Sequence, residues 1–131
     1  MRVAEVDRGF VRASPDRVFE LVRDPARYPE WWPRVRGAGD RALRFPELRE
    51  VRTAVQGVRD GVELIVKVEG RAVRGHLQWY LERFQDGTIV FGITDVETTR
   101  RWSPRRVLRH RASMRRAMVA MKQRLEATSR G

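Results

Sequence analysis

Few side chains in this 131-residue chain could do acid–base, nucleophilic or metal chemistry, and those few stand apart. There are two histidines, His76 beside Gly75 and His110 among arginines. Isolated imidazoles make neither a metal site, which needs several ligands, nor a triad, which needs a nucleophile and an orienting acid. Cysteine is absent, which excludes disulfides, thiol catalysis and thiolate metal sites. Glu82 and Glu97 read as solvated strand residues. Glu30, beside Trp31, is a candidate base, with a solvent-facing helix residue as the commoner alternative. No glycine-rich phosphate loop runs from a strand into a helix. No catalytic residue can be assigned, and no metal or cofactor is expected.

Charge is the other signal with chemistry in it. Lysine and arginine number 28 against 17 acids, a formal charge of +11, and Lys67 and Lys122 are the only lysines. Between Glu97 and Glu126 there is no acidic residue. Within that stretch Arg105, Arg109 and Arg116 fall near one line of a helix. One reading is a solvated outer face whose arginines pair with acids of neighbouring strands. The other is docking to an acidic carrier protein, anionic headgroups or RNA. Aromatic residues interleaved with the basic ones, which would favour RNA, are missing.

The elements that must position these residues follow from periodicity. Ser103 is a good N-cap and Pro104 a good first helical residue. Val107, Met114, Met118, Met121 and Leu125 then draw one apolar stripe, which predicts a helix over 104–128. Upstream, alternation predicts strands over 2–12, with a possible bulge at Gly9, and over 41–45, 48–58, 62–69, 73–84 and 88–98. Asp60-Gly61 and Asp86-Gly87 are hairpin signals. Ser14-Pro15 opens a short helix that Asp24-Pro25 stops, and a second, irregular one is expected over 26–34. The order β, α, α, several antiparallel β, then one long α is an α+β arrangement. Length and composition, 41% hydrophobic, suit a single domain over 1–131. With no signal-like or membrane-spanning apolar run, a cytoplasmic protein is expected.

The run Ser14-Pro15-Asp16-Arg17-Val18-Phe19-Glu20-Leu21, followed by Asp24-Pro25-Ala26-Arg27-Tyr28-Pro29-Glu30-Trp31-Trp32-Pro33, resembles the START-like (SRPBCC) superfamily. The likeness is to its polyketide cyclase/dehydrase branch. Gly75-His76-Leu77-Gln78-Trp79 and then Asp86-Gly87-Thr88 add a second, weaker match. The resemblance implies a helix-grip fold: a curved antiparallel sheet wrapped around the C-terminal helix, with a cavity for a hydrophobic ligand. It does not imply one reaction. Aromatase/cyclase members carry inward arginines that polarise a polyketide chain. The matching slots here hold Thr53 or Val55, and Val66, which weakens a carry-over of cyclase chemistry.

Alternation puts Leu64, Val66 and Val68 on the inner face. A two-residue turn at Asp86-Gly87 would set Trp79 opposite Thr94 and Leu81 opposite Gly92. The expected ligand site is then Tyr28, Trp32, Leu64, Val66, Leu77, Trp79, Thr94, Met118 and Met121, with small Gly92 and Thr94 leaving room. The alternative is a filled core. The same register turns Tyr80, Ile89, Phe91 and Ile93 outward, which would suit a homodimer, whereas a one-residue slip would bury Phe91 and Ile93. The function expected is binding of a hydrophobic or amphipathic, lipid- or polyketide-like small molecule. A cyclase/dehydratase-type enzyme and a basic module docking on RNA or an acidic carrier protein are the alternatives.

Overall fold

The computed structural model describes the backbone of residues 1–129 and the side chains of residues 1–127. Among the described residues seven strands form one antiparallel sheet: β1 (Arg2–Val11), β2 (Arg36–Gly37), β3 (Ala42–Phe45), β4 (Arg49–Arg59), β5 (Glu63–Gly70), β6 (Val73–Phe84) and β7 (Gly87–Thr98). Their order across the sheet is β1-β7-β6-β5-β4-β3-β2. The curled sheet holds a long helix, α2 (Pro104–Ser129), which packs mainly over β1. Among the described residues no helix is long and apolar enough to cross a membrane.

Between β1 and β2 lie α1 (Pro15–Val22) and a 3-10 helix (Pro25–Glu30). Ser14 caps α1 by accepting the Arg17 amide at 3.3 Å, and Val18, Phe19 and Val22 are its buried face. Asp24 caps the 3-10 helix by accepting the Ala26 amide at 3.1 Å. The expected second helix over 26–34 ends early, at Glu30. Pro29 has no amide to donate, and the tight turn runs out at Trp31.

Two details of the sheet differ from expectation. The β6–β7 turn residues are Gln85 and Asp86, so Phe84 pairs with Gly87, Trp79 with Gly92 and Leu77 with Thr94. The pairing is shifted by two residues, which leaves every side chain on its expected face. Gly87 belongs in the ladder because a Cβ there would lie 2.3 Å from the Val11 carbonyl oxygen. Gly9 makes no bulge, and it pairs in register with Val90. It instead gives Met118 room, since a Cβ on Gly9 would stand 3.2 Å from the Met118 Cβ.

The stripe on α2 is buried as its spacing requires, through Met114, Met118, Met121 and Leu125. Each such side chain contributes roughly 1.5–3 kcal/mol by leaving water. Ser103 caps the helix, accepting the Arg106 amide at 3.2 Å.

Candidate functional site

All nine residues expected to line a ligand site are buried under the helix: Tyr28, Trp32, Leu64, Val66, Leu77, Trp79, Thr94, Met118 and Met121. Tyr28, Trp32 and Trp79 among them meet in one aromatic cluster. The Trp79 ring lies 6.5 Å from Tyr28, 6.3 Å from Trp31 and 5.7 Å from Trp32. Trp79 Nε1 donates to the Tyr28 hydroxyl at 3.0 Å, and that hydroxyl donates to the Val22 carbonyl at 2.8 Å. Burial pushes the Tyr28 phenol well above its ordinary pKa, so it stays a neutral donor. Trp32 Nε1 reaches α2, donating to the Ser113 carbonyl at 3.2 Å. Beside Gly92 the space is taken by the Met114 and Met118 methyls and the Trp79 ring.

A polar chain lies in the same interior. Thr94 Oγ1 and His110 Nε2 are 2.7 Å apart, and His110 Nδ1 is 3.6 Å from Glu47 Oε2. All three residues are at most 3% exposed. With its proton on Nδ1, facing Glu47, the ring accepts the Thr94 hydroxyl through Nε2. Glu47 Oε1 is enclosed and has no hydrogen-bond partner among the described residues. His110 is therefore not the isolated imidazole that the arginines around it in sequence suggest. It lies three residues after Val107 and four before Met114, on the apolar stripe itself. That spacing was the signal that it is buried. Nothing local marks Glu47, which a turn brings in from the far side of the sheet. Among the described residues no cluster of three or more metal-binding side chains occurs.

The other candidate groups are placed plainly. Arg27 holds the Glu30 carboxylate at 2.9 and 3.1 Å and lowers its pKa, the wrong direction for a base. His76 is half-buried opposite Lys67. Arg105 and Arg109 are exposed, whereas Arg116 is half-buried, with its Nε enclosed and unbonded among the described residues. Tyr80, Ile89, Phe91 and Ile93 face outward and are half-exposed, with Tyr80 and Phe91 in ring contact at 6.1 Å.

A cleft of about 1040 Å³ lies elsewhere, around the β2–β4 end of the sheet, and none of the nine expected residues lines it. Its wall includes Phe45, Leu48 and Val73, which are buried, and the exposed Pro46 and Ala54. Phe45 stands edge-on against Trp32 at 5.3 Å, so the cleft wall backs directly onto the aromatic cluster. Because β4 contributes both inward Thr53 and outward Arg52 and Ala54, the cleft wraps over the sheet rim. Its cations are Arg34, Arg36 and Arg41 around β2, Arg44, Arg49 and Arg52 on β3 and β4, Lys67 and Arg71 on and after β5, and Arg106 of α2. Its acids are Glu50 and Glu69. Arg106 donates through Nε at 3.2 Å, and through Nη2, to the Glu47 carbonyl, and it lies 4.7 Å over Trp102. Burial, then the charge of Arg49, pulls its pKa down. Arg34, Arg41 and Arg49 have left-handed backbone, with φ of 68, 54 and 63°. That conformation costs a non-glycine residue roughly 1–2 kcal/mol. The scatter of these arginines over turns and outward strand positions leaves no local pattern in the sequence.

No family model matches the chain, and no curated protein matches it. Solved structures do. A START superfamily protein from Mycobacterium smegmatis is 17% identical, with 97% of this chain and 98% of that one covered and a TM-score of 0.74. The di-domain ARO/CYC StfQ from the steffimycin biosynthetic pathway is 13% identical, with 100% of this chain and 53% of that one covered and a TM-score of 0.71. A dimeric protein from Colwellia psychrerythraea is 16% identical, with 95% and 96% covered and a TM-score of 0.67. The sheet order, the grip on α2 and these likenesses agree: the chain has the helix-grip fold of START proteins.

Proposed function

We propose that the chain binds an amphipathic small molecule at the mouth of the helix grip, with the nine buried residues as the wall behind it. The observation that carries this is the cleft of about 1040 Å³ whose wall residue Phe45 packs on Trp32. That volume is at the upper end of the range for small-molecule sites. An apolar body resting on Pro46, Ala54 and Phe45 leaves water there. A longer one would press on Trp32 and, through it, on Trp79. Covering about 300 Å² of apolar ligand at ~25 cal/mol per Å² supplies roughly 7 kcal/mol before the entropy of association, enough for micromolar binding. The fold's likeness to a START superfamily protein and to StfQ supports a ligand-binding role.

The test uses a neutral probe. N-phenyl-1-naphthylamine should brighten on saturable 1:1 binding, and Ala54→Trp, which fills the exposed side of the cleft, should weaken that binding. Native mass spectrometry of protein from its own host should show a co-purifying molecule. No brightening together with no co-purifying mass would overturn the reading.

A second reading, an enzyme of cyclase or dehydratase type, draws on the Thr94–His110–Glu47 chain. Pro46 and Leu48, the neighbours of Glu47, line the cleft, although Glu47 itself does not. In that reading Glu47 and His110 hand a proton to or from a bound polyketide-like chain. Turnover of such a substrate that survives in His110→Gln would remove it.

A further inference from the structure

We propose that the cleft is a site for a polyphosphorylated small molecule, one carrying a diphosphate or two neighbouring phosphates, gripped chiefly by Arg34, Arg41 and Arg49. This names the head group of the ligand proposed above, and it rests on that reading only for the apolar body. Three observations support it. First, the cleft's acids are already engaged, Glu50 with Arg44 at 4.0 Å and Glu69 with Lys67 at 3.8 Å. Arg34, Arg36, Arg41, Arg49, Arg52 and Arg71 take part in no ion pair among the described residues. Six unpaired guanidinium groups around one concavity repel one another, and a multivalent anion relieves that repulsion.

Second, the backbone places arginine where glycine belongs. Of the four non-glycine residues with positive φ among the described residues, three are arginines of this cleft, and the fourth is the turn residue Gln85. Arg34 and Arg41 sit in the turns before β2 and β3, and Arg49 is the first residue of β4; at each a glycine would adopt the conformation without strain. Strained residues persist at such positions where the side chain has a use the fold alone does not supply. Third, the guanidinium fork binds two oxygens of one phosphate side by side, which fixes orientation as well as charge. A nucleic-acid strand fits less well. The one aromatic residue of the cleft wall, Phe45, is buried and faces Trp32, so it offers no platform for stacking a base.

The strained positions supply a test that misfolding cannot imitate. Replacing Arg34, Arg41 and Arg49 with glycine removes three charges and relieves the backbone together. The triple variant should melt at the same temperature as the parent or higher, yet bind inorganic pyrophosphate at least tenfold more weakly by calorimetry. A control with Arg101→Gln, Arg105→Gln and Arg109→Gln removes the same charge from the region around the start of α2 and should lose less than about threefold. Equal losses in both variants would overturn the site, because binding would then follow net charge alone. Geranyl diphosphate, inorganic pyrophosphate and geraniol distinguish the two proposals. Geranyl diphosphate binding at least tenfold tighter than pyrophosphate supports both. Equal binding of the two supports the anion site and sinks the apolar-body reading. Geraniol binding with no response to either phosphate does the reverse. Capture of a single-stranded RNA with no response to pyrophosphate overturns the present inference.

Discussion

The Tyr28 hydroxyl is the hinge of the buried aromatic cluster, because it accepts from Trp79 and donates to the Val22 carbonyl. Tyr28→Phe keeps the ring but strands an indole N–H and a backbone carbonyl away from water. Each buried group left unsatisfied costs about 1–3 kcal/mol. Urea unfolding of the variant should show a loss of about 2–6 kcal/mol for the two groups together, and tryptophan emission should shift while the fold persists. Asp7 offers a pH-dependent counterpart. It faces α2 from β1 and is 9% exposed, and burial raises its carboxyl pKa above the ordinary value. The charges of Arg111 and Arg115 of α2 oppose that rise, and Glu5 of its own strand adds to it. The sign follows from linkage: an acid with a raised folded pKa favours folding when protonated. Its contribution is full below the unfolded value of 3.8 and is lost as pH rises through the folded value. At neutral pH, therefore, Asp7 costs stability. Asp7→Asn should raise the melting temperature by about 1–3 °C at pH 7, with the gain gone below the ordinary carboxylate range. An unchanged difference across that range would mean that burial is not what Asp7 contributes.

Between elements, two glycines separate rigid contacts from soft ones. A Cβ on Gly75 would lie 2.2 Å from the Asp95 carbonyl oxygen and 2.6 Å from the Val96 Cα, both backbone atoms of the adjoining strand β7. Neither can move without breaking the ladder, so Gly75→Ala should cost more than about 3 kcal/mol. A Cβ on Gly92 would meet the Met114 Cε at 2.4 Å, the free end of a flexible side chain. Gly92→Ala should cost only about 1–2 kcal/mol, since the thioether can turn aside. Urea midpoints in the reverse order would mean that α2, not the strand pair, is the rigid partner. The same contrast governs what could be read from sequence. The stripe on α2 and the inner faces of β5, β6 and β7 repeat at fixed spacing, so Met118, Trp79 and Val66 were legible inside the grip. Spacing does not report where a turn falls: Asp86-Gly87 predicts Trp79 opposite Thr94, and the ladder pairs Trp79 with Gly92. Nor does spacing report chemistry at a stripe position: His110 reads as an isolated imidazole among arginines, and its neighbours Thr94 and Glu47 lie far off in sequence. The cleft was out of reach because its arginines meet only after β2, β3, β4 and α2 have folded around it.

For the molecule as a whole, charge sets the conditions under which it is stable. With 28 basic and 17 acidic side chains, no pairing scheme can neutralise more than 17 of the cations. The ion pairs that do form are mostly at the surface, such as Arg2–Asp95 and Arg23–Glu20, each with an arginine more than half exposed. Surface pairs of that kind contribute about 0–1 kcal/mol each. The surplus of +11 is spread over α2 and the cleft, where cations stand near cations, and it opposes compactness at every distance within a screening length. That length falls from about 30 Å at 0.01 M salt to about 8 Å at 0.15 M. Added salt therefore weakens the repulsion among many charges and the attraction within few pairs, and the first effect is the larger. The melting temperature should rise by several degrees between 10 and 150 mM sodium chloride and level off above that. Its slope should be shallower in the Arg34→Gly, Arg41→Gly, Arg49→Gly variant, which starts with three fewer cations in its most crowded region. Differential scanning calorimetry across that series decides the matter. A melting temperature that falls with salt would make the surface pairs the dominant electrostatic term and the cleft arginines well accommodated on their own.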